Sequence, residues 1–155
     1  MIAIKKVLFP TDLSDAAAEA QLYACALAEQ FDAELHILSV MQDMTMVSPD
    51  PNMPWVIPAS SLEEIKVSLE TALRAIPDPK WAAGRTIHRV LRTGTPFLEI
   101  VRYAQEQDID VIVVGTHGRT GLTHMLLGST AEKVVRKSPC PVLTVHPKGH
   151  QFVMP

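Results

Sequence analysis

The chain has 155 residues and a mass of 17.0 kDa, enough for one domain that hides roughly 68–70% of its unfolded surface. Hydrophobic residues make up 47%, charged ones 20%, and the formal net charge is −3, which excludes a disordered chain and a basic nucleic-acid or membrane-surface footprint. No apolar run nears the ~20 residues of a membrane helix, Pro10 and Asp12 interrupt the N-terminus too early for a signal peptide, and Cys25 and Cys140 make no disulfide framework. The expectation is a cytoplasmic protein with reduced thiols.

Residues 4–9 read as a short buried strand that stops at Pro10, which has no N–H to continue a ladder. Ser14 offers an N-cap hydroxyl, and Asp15 a first-turn carboxylate, to a helix that reaches Phe31. Its stripe is Ala20, Ala24, Leu27 and Phe31. Residues 34–40 form a second buried strand. Residues 41–59 hold Pro49, Pro51, Pro54 and Pro58 with no usable period, and so long a stretch inside a compact domain is usually functional or mobile. Met41, Met44, Met46 and Met53 surround Trp55 there. The segment reads equally as a flap over a ligand, a surface for a protein partner, or a loop packed by its own side chains.

Ser61 and Glu64 fit a capping box for a helix whose stripe is Leu62, Ile65, Leu69, Leu73 and Ile76, ended by Pro77 and Pro79. Residues 86–91 alternate and suit a strand covered in part. Thr95 and Pro96 open a helix with Phe97, Ile100, Val101 and Ala104 on its apolar face. Residues 111–114 are the most hydrophobic strand and run into Gly115. A glycine-rich loop leads to a helix at 129–136 with Val134 and Val135 inward. Pro139 and Pro141 break it, and 142–145 is the last strand. Alternating strands and helices imply an α/β fold, a single doubly wound parallel sheet with helices on both faces.

Ligands of such sheets bind beyond the carboxyl ends of the strands, where the strand order reverses. Two strand ends carry unusual residues. The first is followed by Pro10, Thr11, Asp12, Leu13 and Ser14; the fourth by Gly115, Thr116, His117, Gly118, Arg119, Thr120 and Gly121. Glycines allow backbone amides to approach a ligand closely. Gly128, Ser129 and Thr130 then start a helix, whose free amides and hydroxyls make an anion site. Arg119, Lys133, Arg136 and Lys137 stand against one acid, Glu132, so the stretch suits phosphate. A plain turn with Ser129 as an ordinary N-cap explains the same residues. Neither a Walker loop nor a Rossmann glycine turn occurs. His117 and His124 have no carboxylate or cysteine beside them and read as polar loop residues rather than a metal pair.

Gly115-x-x-Gly118, nine residues, then Gly128-Ser129-Thr130 resembles the ATP-binding motif of the universal stress protein family. The run from Ala131 to Val145, the stretch from Val7 to Ser14, and the strand ending at Gly115 are similar to that family as well. The resemblance implies a five-stranded sheet of order 3-2-1-4-5, an adenine nucleotide alpha hydrolase-like fold, over residues 1–147, with a short tail at 148–155. It implies ATP, with Mg or Mn, at the switch point between the first and fourth strands. Pro10, Thr11, Asp12 and Val40 would line ribose and adenine. Val114, Gly115, His117, Gly118 and Arg119 would wrap the ribose and inner phosphates, and Gly128, Ser129 and Thr130 the outer ones, with Asp12 beside a metal held by the phosphates. A homodimer through Val142 to Val145 is also implied. Valine at Gly118 or Gly128 is expected to fill the phosphate space with little loss of fold.

The expected function is that of an ATP-binding stress-response regulator without nucleic-acid or membrane partners. No residue is assigned a catalytic role. Two alternatives stay open: a slow ATPase or autophosphorylating enzyme, and a nucleotide-free dimeric scaffold that acts through protein partners.

Overall fold

The structure is a computed structural model that describes residues 2–42, 59–116 and 128–147. The proline cluster from Pro49 to Pro58, His117, Gly118, Arg119, His124 and the tail at 148–155 lie outside the described residues.

Five parallel strands form one sheet: β1 (Lys6–Pro10), β2 (Glu34–Met41), β3 (Ile87–Thr93), β4 (Val111–Gly115) and β5 (Val142–Val145), in the order β3-β2-β1-β4-β5. The central strands are apolar without alternation because both of their faces are covered. On one face Val7, Phe9, Leu35, Ile37, Val111 and Val113 are buried in a cluster with Ala20, Ala24 and Ala28 of α1 (Ala18–Phe31) and Leu73 of α2 (Ala59–Arg74). On the other, Leu8, Leu38, Ile112 and Val114 are buried with Ile100, Tyr103 and Ala104 of α4 (Pro96–Glu106) and Ala131 and Val134 of α5 (Ser129–Lys137). Full burial of each large apolar side chain contributes about 1.5–3 kcal/mol. A short helix, α3 (Pro79–Ala82), had no counterpart in the sequence pattern; Asp78 caps it by accepting from the Lys80 amide at 2.7 Å.

Several sequence expectations are corrected. Ser14 does not cap the first helix with its side chain. A 3-10 turn over Asp15–Ala17 comes first, and the Ser14 hydroxyl points back to Asp12. The buried ridge of α1 is carried by alanines, while Phe31, its last residue, is 41% exposed. Ser61 cannot cap α2, which already includes Ala59 and Ser60, and on its expected stripe Ile65 is exposed and Leu73 buried. Val134 faces the core but Val135 is 45% exposed, because consecutive helical residues point about 100° apart. Cys140 is half-buried. Cys25 is buried, and burial pushes its thiol up to about 11, so it is inert at neutral pH.

The Asp110 carboxylate joins the beginnings of β1 and β4. Its Oδ2 accepts from the amides of Lys5 at 2.7 Å and Lys6 at 2.9 Å. Asp110→Ala is expected to cost about 1–3 kcal/mol, since two hydrogen bonds to a charged group are lost near the surface. Urea unfolding at neutral pH reads the loss; an unchanged midpoint would show that water replaces the carboxylate without cost.

Candidate functional site

β1 and β4 are neighbours, with Val7 opposite Val111 and Leu8 opposite Ile112. Their carboxyl ends therefore open side by side where the strand order reverses. Pro10 ends β1 opposite Leu38 of β2, and the Thr11 amide donates to the Leu38 carbonyl at 2.9 Å. The turn beyond is tied by its own polar side chains. Thr11 Oγ1 accepts from the Leu13 amide at 3.0 Å, and Asp12 Oδ1 accepts from the Ser14 amide at 3.0 Å and from its hydroxyl at 2.5 Å. Leu13 sits at φ +62°, a left-handed conformation that costs a branched side chain roughly 1–3 kcal/mol. These hydrogen bonds hold the chain there, so the turn keeps one shape. Val40 lies two residues beyond Leu38 and so belongs to the same edge of the sheet.

At the neighbouring strand end, Val114 is buried and Gly115 pairs with Val145. Thr116 is the residue that sequence reasoning missed. It is only 1% exposed; its amide donates to the Val145 carbonyl at 2.9 Å, its hydroxyl contacts His146 Nδ1 at 2.9 Å, and its carbonyl accepts from the Gly128 amide at 2.7 Å. One threonine thus fixes the end of β4, the end of β5 and the start of α5 together. A polar residue directly after an apolar strand is a faint signal for this, easily lost between two motif glycines.

Gly128 is the N-cap of α5 and Ser129 its first helical residue, so Ser129 is not the cap. Glycine brings no side chain to the first-turn amides, which face the crevice edge with the positive end of the helix dipole. The Ser129 hydroxyl is exposed and Thr130 half-buried. Gly128 has an ordinary extended conformation, φ −62° and ψ 147°, and is required for space: a Cβ there would lie 3.0 Å from the Thr116 carbonyl oxygen. Valine at 128 must therefore move the start of α5, and the expectation that it would leave the fold alone is withdrawn.

The expected cluster of cations is also corrected. Lys133 lies over the Phe97 ring at 5.1 Å, Arg136 pairs with Glu132 at 2.9 Å, and Arg136 and Lys137 occupy the last turn of α5, at the opposite end from the first-turn amides. They complement the negative end of the helix dipole. Among the described residues, the groups at this edge that could hold an anion are backbone amides and hydroxyls. The structure thus brings Pro10, Thr11, Asp12, Val40, Val114, Gly115, Gly128, Ser129 and Thr130 to one edge of the sheet.

A doubly wound sheet of this order, with a tied polar turn and a glycine-capped helix at its switch point, is an α/β domain of the kind whose ligands, where they have them, lie beyond the carboxyl ends of the strands. Residues 3–146 match the Universal stress protein family, and the chain belongs to that family. It is 37% identical over 141 residues to a universal stress protein of Methanocaldococcus jannaschii, spanning 91% of this chain and 81% of that one. The structure of the universal stress protein UspA from Lactobacillus plantarum superimposes with a TM-score of 0.78 at 28% identity, covering 94% of this chain and all of the other. A universal stress protein in complex with cAMP superimposes with a TM-score of 0.70 at 28% identity, over 95% of this chain and 100% of that one. No helix among the described residues is long and apolar enough to cross a membrane.

Proposed function

We propose that this protein is a regulatory protein that binds an adenine nucleotide, ATP by preference, in the crevice beyond β1 and β4. The observation that carries this reading is the side-chain-free cap of α5, which leaves first-turn amides and two hydroxyls at the strand switch beside the tied turn of β1. A relative of the same fold was crystallised with cAMP, which supports a nucleotide as the ligand class.

In this reading the amides at the start of α5, with Ser129 and Thr130, hold the outer phosphates. Pro10, Thr11, Asp12 and Val40 line the ribose and base, and Val114 and Gly115, followed by His117, Gly118 and Arg119, wrap the inner phosphates. Bound ATP would supply phosphate charge for Mg or Mn to neutralise, and Asp12, in the turn after β1, would share that ion. Edge strand β5, with Leu143 38% exposed, is the surface assigned to pairing with a second copy.

Calorimetric titration of the purified protein with ATP and magnesium tests the reading, with AMP titrated in parallel. Saturable binding is expected, tighter for ATP than for AMP. Ser129→Ala combined with Thr130→Ala is expected to weaken ATP about 10- to 100-fold, because two solvent-accessible hydrogen bonds with a net contribution of about 0.7–1.4 kcal/mol each are lost. A folded protein that takes up neither nucleotide would overturn the proposal.

A further inference from the structure

A second polar cluster lies at the other end of the sheet, where β2 begins. His36 and His88 are opposite one another in the β2–β3 register and stack, with ring centroids 4.3 Å apart and planes at 26°. Glu34 precedes His36 by two residues and shares its face. His36 is 3% exposed. Its Nδ1 meets the Tyr103 hydroxyl of α4 at 2.8 Å, while its Nε2 is buried with no hydrogen-bond partner among the described residues. A buried ring nitrogen left unpaired is uncommon and costly. That nitrogen lies 3.7 Å from Glu34 Oε2, beyond hydrogen-bond range, and His88 Nε2 lies 2.9 Å from the same oxygen. One ligand atom from each of the three side chains falls within 4.8 Å of the others.

We propose that Glu34, His36 and His88 form a binding site for a divalent transition ion of the zinc class, separate from the nucleotide crevice. Two imidazoles and one carboxylate are a borderline donor set that suits zinc, whereas magnesium and calcium take oxygen ligands. Around a tetrahedral zinc with bonds of about 2.0–2.1 Å, donor atoms stand roughly 3.3 Å apart. The two separations to Glu34 Oε2, 2.9 and 3.7 Å, bracket that value and all three donor atoms lie within 4.8 Å, so the exposed His88 and Glu34 side chains would adjust to close on an ion. Tyr103 acts as a positioning residue. When its hydroxyl accepts from Nδ1–H, the Nε2 lone pair of His36 is left free for the ion. Burial also keeps His36 neutral at neutral pH, the form that can ligate. Half-exposed Glu34 and His88 leave a remaining position to water. The ion would fasten edge strand β3 to β2.

The test is zinc titration of nucleotide-free protein against a chromophoric chelator, with cobalt as a spectroscopic reporter. One zinc per chain and the visible absorption of tetrahedral cobalt are expected. His88→Ala and Glu34→Gln should each weaken zinc at least tenfold and abolish the cobalt bands. Tyr103→Phe should weaken zinc less while the bands persist. Thermal melting of the metal-free variants shows that they fold. Absence of zinc binding overturns the proposal. So does unchanged affinity in His88→Ala, which would place the ion on His117, His124, His146 or His150.

Discussion

Phe9→Ala is expected to cost about 3–5 kcal/mol of folding stability, the usual range for removing a fully buried aromatic side chain. Phe9 is 1% exposed on the central strand, in the same buried cluster as Ala17, Ala20, Ala24, Ile37 and Val113. The alanines of α1 let that helix lie close to the sheet, so the helix side of the gap is lined by short side chains that fill it poorly. Domains of this size have a total stability of about 5–15 kcal/mol, so the variant sits near the limit of folding. Phe9→Leu keeps most of the volume and is expected to lose less than half as much. Urea denaturation of both variants makes the comparison. A loss under 1 kcal/mol for alanine would mean that the cluster collapses around the gap. Because Phe9 directly precedes Pro10, partial collapse should also weaken nucleotide binding in the proposed crevice.

Much of the fold was legible because the signals were strong and local. The uninterrupted apolar runs Val7–Phe9 and Val111–Val114 mark strands covered on both faces, and in the structure they are neighbours at the centre of the sheet. Thr95 and Pro96 mark the start of α4 correctly, although the Thr95 hydroxyl makes no capping bond. Errors arose where tertiary contacts outweighed pattern. Ser14 prefers the Asp12 carboxylate to the helix, and α2 extends upstream of the motif that suggested its start. Val134 and Val135 are equally apolar, and only packing against the sheet distinguishes them.

Local features were legible and long-range ones were not. The turn at Thr11 to Ser14 and the start of α5 at Gly128 are local, where spacing in sequence is close to spacing in space. Thr116 escapes that logic because its partners, Val145 and His146 at the end of β5 and Gly128 at the start of α5, come from two other segments. Glu34 and His36 are separated from His88 by about fifty residues and meet only through the β2–β3 register. Two residues apart on a strand puts Glu34 and His36 on one face, which the sequence does say. That His88 joins them depends on which strands pair and in what register.

Acidification of the metal-free protein is expected to remove on the order of 3 kcal/mol of stability between pH 6.5 and 4 through His36 alone. Burial first, and then His88, push the imidazole down from its ordinary value of 6.5 to about 4; Glu34 opposes the shift and Lys6 adds to it. From α4, the Tyr103 hydroxyl meets the ring, and Arg92 of β3 lies over the Tyr103 ring at 4.8 Å. The unfolded chain therefore takes up a proton in this window while the folded one refuses it. Stability is fully present above pH 6.5 and falls with acid, at up to about 1.4 kcal/mol per pH unit. The Glu34 carboxyl is held below its usual range by His88, so its own loss comes at lower pH. The clean comparison lies between pH 6 and 5, in the presence of a chelator. There His36→Gln should show a flatter dependence than the parent, whatever its absolute stability. Equal slopes would mean that the buried imidazole gains its proton without unfolding the chain. Zinc should steepen the parent's dependence, because a proton and the ion compete for the same Nε2, and should leave His36→Gln nearly unaffected.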